Sequence, residues 1–331
     1  MRELNIAVVG ATGMVGRTFL KVLAEKNINI KNLYCYASEK SAGSTILFKD
    51  KEVEVILLNE ENIKNKKIDY ALFSAGGSVS LEYAPIFKKY GAIVIDNSSA
   101  WRMNNECPLI VPQVNKAACF NHHGIIANPN CSTIQCMLPL KALHDQYILK
   151  SVDYVTFQAV SGSGMKGVAD LNNTMQGKSP EFYHYPIYDN CIPHIDVFLE
   201  NGYTKEEMKM VNETRKILEL PNLPVSATCV RVPVHNCHSI EIKAEFENNF
   251  ELNDVIEQLK NFENIIVLDN PAENIYPVCT TASNTDYVYV GRIRRDLNNP
   301  KVLHLFCVAD NIRKGAASNA IEIMELLEKG E

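Results

Sequence analysis

The sequence predicts an α/β protein: a doubly wound, mostly parallel sheet followed by an α+β region built on a large mixed sheet. Three observations predict it. The 331 residues exceed the roughly 250–300 at which one hydrophobic core stops growing, so two domains are expected. The first third alternates short apolar runs with helical periodicity, the pattern of right-handed crossovers between parallel strands. After about residue 150 the strands lengthen and helices become sparse, as in a mixed or antiparallel sheet covered on one face.

Residues 4–9 (LNIAVV) are a continuous apolar run, expected to be a strand buried on both faces. A glycine-rich turn follows, then a helix in which Val15, Phe19, Val22 and Leu23 form one apolar stripe. Residues 33–37, 70–73, 93–95 and 125–127 read as further strands, with a helix near 80–90. Residues 151–160 read as a long strand entering the glycine-rich loop SGSGMKG. The segment KSPEFYHYPIYDNCIPHI is rich in Tyr, Phe and Ile and reads as ordered irregular structure. A charged helix is expected over 204–218, long strands over 225–246, 286–294 and 302–308, and an amphipathic helix over 311–329. The expected division is 1–130, completed by the C-terminal helix 311–331, and 131–310.

Hydrophobic residues make up 46% and charged residues 22%, an ordinary globular balance. The net charge of −6 argues against general affinity for nucleic acid or anionic membranes. No run approaches the ~20 apolar residues of a membrane span, and MRELNIAVVGATG does not read as a signal peptide. The ten cysteines form no CxxC pair, no metal-ligand spacing is seen, and they read as reduced thiols of a cytoplasmic protein.

In GATGMVG, Gly10, Gly13 and Gly16 stand between the first strand and helix. Glycines there permit a tight turn and let backbone N–H groups approach a phosphate at the helix start. A plain tight turn is the bland alternative, but the strand–turn–helix context favours a dinucleotide site of the Rossmann kind, with Thr12, Met14 and Val15 beside it. An NAD site usually ends its second strand in Asp or Glu. Here Ala37 is followed by Ser38, Glu39, Lys40, Ser41, Ala42 and Gly43; Glu39 lies in the loop beside Lys40, and the Ser/Lys/Gly turn suits the 2′-phosphate of NADP better than an acid at the strand end would.

Cys131, in NPNCSTIQ, falls at a predicted helix start, where the macrodipole and free N–H groups favour thiolate and could hold an oxyanion. For the other nine cysteines a buried structural role is expected; for Cys131 the polar flanks favour a nucleophile. His238 opens the alternation His238, Ile240, Ile242, Ala244, Phe246 and so points to the apolar face. A core histidine and a general base for the thiol both fit that spacing. Arg231, seven residues earlier, suits a bidentate grip on a carboxylate and can face the same site only if the chain bends between them. Glu206 and Lys209 share one helix face, which on pattern alone could be a solvated surface.

GATGMVG, DNSSAWR, NPNCSTIQ, QAVSGSG, the EExK helix and RVPVHNCHS together resemble the aspartate-semialdehyde dehydrogenase family, in that family's order and over essentially the whole chain. The resemblance implies NADPH-dependent interconversion of L-aspartyl-4-phosphate and L-aspartate-4-semialdehyde with inorganic phosphate, through a thioester on Cys131. That chemistry belongs to lysine, threonine, methionine and diaminopimelate biosynthesis. It implies that His238 is the base, Arg231 holds the substrate α-carboxylate, and Glu206 meets its amino group. Lys209 and Arg102 would bind phosphate with help from Asn130, and Gln158 would orient the thioester carbonyl. Ser74, Ser161, Gly162 and Asn311 would line the cofactor. It also implies a homodimer formed through the second region's sheet, paired into a tetramer in some members. The neighbouring alternative is N-acetyl-glutamyl-phosphate reductase, whose acetamide would gain nothing from Glu206. A nucleotide-binding redox sensor would have no need of Arg231, His238 and the EExK helix together.

Overall fold

The computed structural model describes residues 2–26 and 28–330; residues 1 and 331, the outer ends of the expected divisions, lie outside that description. The chain falls into two units, Met1–Pro129 with Ala316–Glu331, and Asn130–Gly315.

The first unit is built on seven strands: β1 (Leu4–Val9), β2 (Ile30–Ala37), β3 (Thr45–Phe48), β4 (Lys51–Leu57), β5 (Tyr70–Phe73), β6 (Ile93–Asp96) and β7 (Ile125–Ala127). Their order is β3-β4-β2-β1-β5-β6-β7, parallel throughout except at β3–β4. All six residues of β1 are buried. Leu4, Ile6 and Val8 enter one core cluster and Ala7 and Val9 another, so both faces of the sheet are covered, as a doubly wound sheet requires. The helix Asn319–Lys329 packs Ala320, Ile321, Ile323 and Met324 into the first of these clusters. It is preceded by a π-helical stretch, Arg313–Ser318, where the sequence pattern predicts regular α-helix from residue 311.

The β3–β4 hairpin has no counterpart among the expected strands. In β4, Lys51, Glu52 and Glu54 are interleaved with Val53 and Val55, which blurs the apolar period. Lys49 and Asp50 at its tip take φ of 46° and 63°, the left-handed pair that matches strand twist in a two-residue turn.

The second unit holds β8 (Leu149–Gln158), β9 (Val225–Arg231), β10 (His238–Phe246), β11 (Ile265–Val267), β12 (Val288–Arg295) and β13 (Val302–Ala309), in the order β11-β12-β13-β10-β8-β9. The sheet is mixed: β8–β9 and β11–β12 are parallel, and the other pairs are antiparallel. In β8, Val152, Tyr154, Thr156 and Gln158 are buried while Val155 and Phe157 on the other face are exposed. The single strand expected over 225–246 is two, β9 and β10, with β8 between them. Pro233 and Cys237, the latter at φ 73°, break it.

Candidate active site

The glycine loop is built by close backbone approach. A Cβ on Gly16 would lie 2.1 Å from the Gly10 carbonyl oxygen, and one on Gly10 would lie 3.0 Å from the Ser74 backbone. Gly13 caps the helix Met14–Glu25 with no side-chain hydrogen bond, and no acid occupies the first turn. That leaves N–H groups and a positive dipole end for an anion. Ser74 Oγ donates to the Val9 carbonyl (3.3 Å), and Thr12 Oγ1 lies 3.5 Å from Ser41 Oγ, so the glycine loop and the turn after β2 meet. Ser38, Lys40 and Gly43 in that turn are exposed, and Ala42 is half-buried. The cradle that side chains would fill, together with this turn, fits a dinucleotide.

The helix Cys131–Tyr147 is buried nearly all round. Asn130 is its N-cap: Oδ1 accepts the N–H groups of Ser132 (2.9 Å) and Thr133 (3.3 Å). The Asn130 side chain also donates from Nδ2 to Glu206 Oε1 (2.8 Å), and its backbone N–H donates to Glu213 Oε2 (2.7 Å). Cys131 is therefore the first residue of a helix whose start is tied down on three sides. It is half-buried, and none of the ten cysteines is in a disulfide. Gly315 lies against it: a Cβ there would come within 2.8 Å of the Cys131 Cβ.

Glu206 and Glu213 come from the helix Lys205–Ile217, whose start is set by a capping box between Thr204 and Glu207. Glu206 is buried. Its carboxylate accepts from Asn130, from Gln158 Nε2 (3.2 Å) and from Lys209 Nζ (3.0 Å). Burial pushes its pKa up, but the Lys209 ammonium and these hydrogen bonds outweigh that and hold it at about 2. Lys209 is shared with Asp196 (2.8 Å); burial opposes its charge, and the two carboxylates raise its pKa overall.

Gln158 and Ala159, consecutive at the end of β8, join this network to a second one. Arg231 Nη1 donates to the Ala159 carbonyl (2.6 Å), and the Ala159 N–H donates to His238 Nδ1 (3.0 Å). The break between β9 and β10 brings Arg231 and His238 to one place. A Cβ on Gly162 would lie 3.0 Å from Arg231 Nη1 and 3.1 Å from His238 Cε1. His238 is fully buried; burial first, then the Arg231 charge, lowers its pKa to about 3. Asn311, expected at the start of the last helix, instead accepts the Cys237 N–H (2.9 Å) and donates to Ser161 Oγ (3.0 Å).

The second unit thus gathers Asn130, Cys131, Gln158, Glu206, Lys209, Arg231 and His238 along two linked networks. Arg102 lies in the first unit, buried, with Nε donating to the Asn128 carbonyl (3.0 Å) and Nη2 to the Asn97 carbonyl (2.9 Å). Sequence reasoning missed Asp196, Glu213 and Gly315. Of these only Glu213 left a signal, two helical turns from Glu206 on the same face. Among the described residues no group of His, Cys, Asp and Glu could hold a metal ion, and no helix is long and apolar enough to cross a membrane.

Models of the semialdehyde dehydrogenase NAD-binding domain and dimerisation domain match residues 5–122 and 140–314. The aspartate-semialdehyde dehydrogenase of Aquifex aeolicus is 53% identical over 98% of both chains, and that of Bacillus subtilis is 44% identical over 99% of this chain and 98% of its own. The chain belongs to the aspartate-semialdehyde dehydrogenase family. Among solved structures, aspartate semialdehyde dehydrogenase II of Vibrio cholerae complexed with ASA superposes with a TM-score of 0.94 at 40% identity, covering 99% of each chain. The Candida albicans enzyme with NADP does so with a TM-score of 0.78 at 25% identity, covering 99% of each chain. Members of this family are oxidoreductases, and the matched NAD-binding domain makes the first unit the place of a nicotinamide cofactor.

Proposed function

We propose that this chain carries out the NADPH-dependent reductive dephosphorylation of L-aspartyl-4-phosphate to L-aspartate-4-semialdehyde, through a thioester on Cys131. It would do so in the cytoplasm as a homodimer, serving lysine, threonine, methionine and diaminopimelate biosynthesis. The observation that carries the reading is the Asn130–Glu206 bond of 2.8 Å. It ties the cap of the nucleophile's helix to a buried carboxylate suited to a free amino group.

In this reading the Cys131 sulfur attacks the acyl phosphate, and Lys209 and Arg102 receive the departing phosphate with Asn130 nearby. Arg231 grips the α-carboxylate. Glu206 shares its charge between Lys209 and the substrate ammonium, a role that an N-acetyl group could not fill. Gln158 orients the thioester carbonyl, and His238 acts as the general base that manages the proton.

The cofactor, when bound, supplies the hydride. Gly10, Thr12, Gly13, Met14, Val15 and Gly16 would hold its pyrophosphate. Ser38, Lys40, Ser41, Ala42 and Gly43 would hold a 2′-phosphate; β2 itself ends in Ala37, and Glu39 lies beyond it in the exposed turn beside Lys40. Ser74, Ser161, Gly162 and Asn311 would contact the remainder.

The test is to mix the protein with NADP, phosphate and aspartate semialdehyde and to follow NADPH absorbance. Turnover is expected, and a Cys131→Ala variant should have none. Equal turnover of N-acetyl-glutamate semialdehyde would overturn the substrate, and an active Cys131→Ala variant would overturn the thioester.

A further inference from the structure

Lys209 carries two carboxylates. Its Nζ donates to Glu206 Oε2 (3.0 Å) on its own helix and to Asp196 Oδ2 (2.8 Å), thirteen residues back in the chain. An ammonium has three N–H donors, so one remains for a phosphate oxygen. The charges oppose that ligand. One cation against two anions leaves the cluster net negative before any phosphate arrives.

The two carboxylates are held differently. The Glu206 side chain is 6% exposed, and Asn130 and Gln158 donate to it besides Lys209. Withdrawing it would strand a buried charge and leave its donors unmatched. The Asp196 side chain is 34% exposed. Among the described residues its Oδ2 has Lys209 alone, and its Oδ1 accepts only the N–H of the next residue, Val197 (2.9 Å). Water can take over at both oxygens. Burial opposes the charge on Asp196, but the hydrogen bond from Lys209 outweighs it and lowers its pKa, with Glu206 pulling the other way.

The chain around Asp196 does not depend on this ion pair for its closure. Residues 197–205 are closed by their own backbone, Lys205 N–H donating to the Val197 carbonyl (2.9 Å) and Leu199 N–H to the Tyr203 carbonyl (2.8 Å). The helix that follows starts on its own capping box.

We propose that Asp196 is an exchangeable counterion for Lys209. It occupies the ammonium while the phosphate subsite is empty, yields it when phosphate or an acyl phosphate enters, and takes it back as phosphate leaves. The proposal rests on the function proposed above, in which Lys209 receives the phosphate. No covalent bond changes at Asp196; one anion replaces another on the same cation. Glu206 stays in place throughout, so the ammonium remains aimed while its outer partner changes. Displacing Asp196 weakens phosphate binding, and its return helps the product leave. A permanently free cation would hold the departing dianion longer.

The test is calorimetric titration of inorganic phosphate into the whole chain at constant ionic strength, for the wild type, Asp196→Asn and Asp196→Glu. Asp196→Asn should bind phosphate about three- to fivefold more tightly, the scale of one partly exposed ion pair. In turnover of aspartate semialdehyde with NADP, its KM for phosphate should fall by a similar factor while the KM for the semialdehyde stays put. Asp196→Glu keeps a carboxylate and should lie with the wild type. A residue that merely held Lys209 in position would give the opposite sign, a phosphate KM that rises in Asp196→Asn. That rise, unchanged phosphate affinity, or equal tightening in both variants overturns the proposal. A wild type that binds phosphate and turns over aspartate semialdehyde, with no tighter binding in Asp196→Asn, sinks the counterion alone. A wild type that does neither sinks the functional reading with it.

Discussion

Glu206 and His238 are both buried, and both make the folded state sensitive to acid, in different windows. Glu206 is held at about 2 against an ordinary 4.5, so its contribution is complete above 4.5 and is lost as the pH falls toward 2. His238 is held at about 3 against 6.5, so the unfolded chain takes up this proton first, and folding stability falls from pH 6.5 downward. Between 6.5 and 4.5 His238 is the one of the two that matters. Denaturant midpoints should therefore fall faster for the wild type than for His238→Gln in that window, by at most about 1.4 kcal/mol per pH unit. Parallel curves would mean that the folded ring takes up a proton freely. Gly162→Ala acts at the same spot without altering any charge. Its methyl would displace Arg231 and His238, and we expect kcat to fall about 10²-fold, in line with a misplacement near 1 Å. Unchanged kinetics would show that the space beside the ring is not needed.

At the level of elements, the start of the Cys131 helix depends on a residue far away in sequence. The Glu213 carboxylate accepts the Asn130 N–H across 83 positions. Glu213→Ala leaves that N–H buried without an acceptor and should cost about 1–3 kcal/mol in chemical denaturation; Glu213→Gln keeps an acceptor and should cost clearly less. Equal losses would assign the effect to charge and not to the hydrogen bond. Contacts of this kind mark where the sequence stops being readable. Cys131 was legible because Asn-Pro-Asn before it and Ser-Thr after it are local cap signals. The inward side of β8 and of β10 was legible because period-two alternation is local too. Glu213 and Asp196 act through contacts with no fixed spacing, and their own neighbourhoods read as ordinary charged helix and loop. The meeting of Arg231 and His238 depended on a strand break that Pro233 hinted at. The β3–β4 hairpin was lost because β3 is only four residues long and Lys51, Glu52 and Glu54 interrupt the apolar run of β4.

At the scale of the whole molecule, the mixed sheet leaves one face uncovered, and the family's dimerisation domain spans residues 140–314. Val155 and Phe157 are exposed there, Phe157 leaning on Phe306 with ring centroids 6.3 Å apart. A β-sheet face of this kind serves as a self-complementary interface in two-fold dimers. Light scattering should report a dimer for the wild type, and Phe157→Asp, which buries a charge in such an interface, should shift it to monomer. A dimer that ignores the change would place the contact elsewhere.

The glycines packed against their neighbours would separate in a saturation scan that reads abundance and activity independently. Any side chain on Gly16 or Gly291 would strike a backbone carbonyl at 2.1 Å, and those variants should vanish from the abundance channel. Gly162 meets the ends of two side chains, and Gly315 meets Cys131, the proposed nucleophile. Variants there should accumulate and yet be silent. A glycine whose replacement removes turnover but not protein marks catalytic space, and could be found that way with no structure in hand.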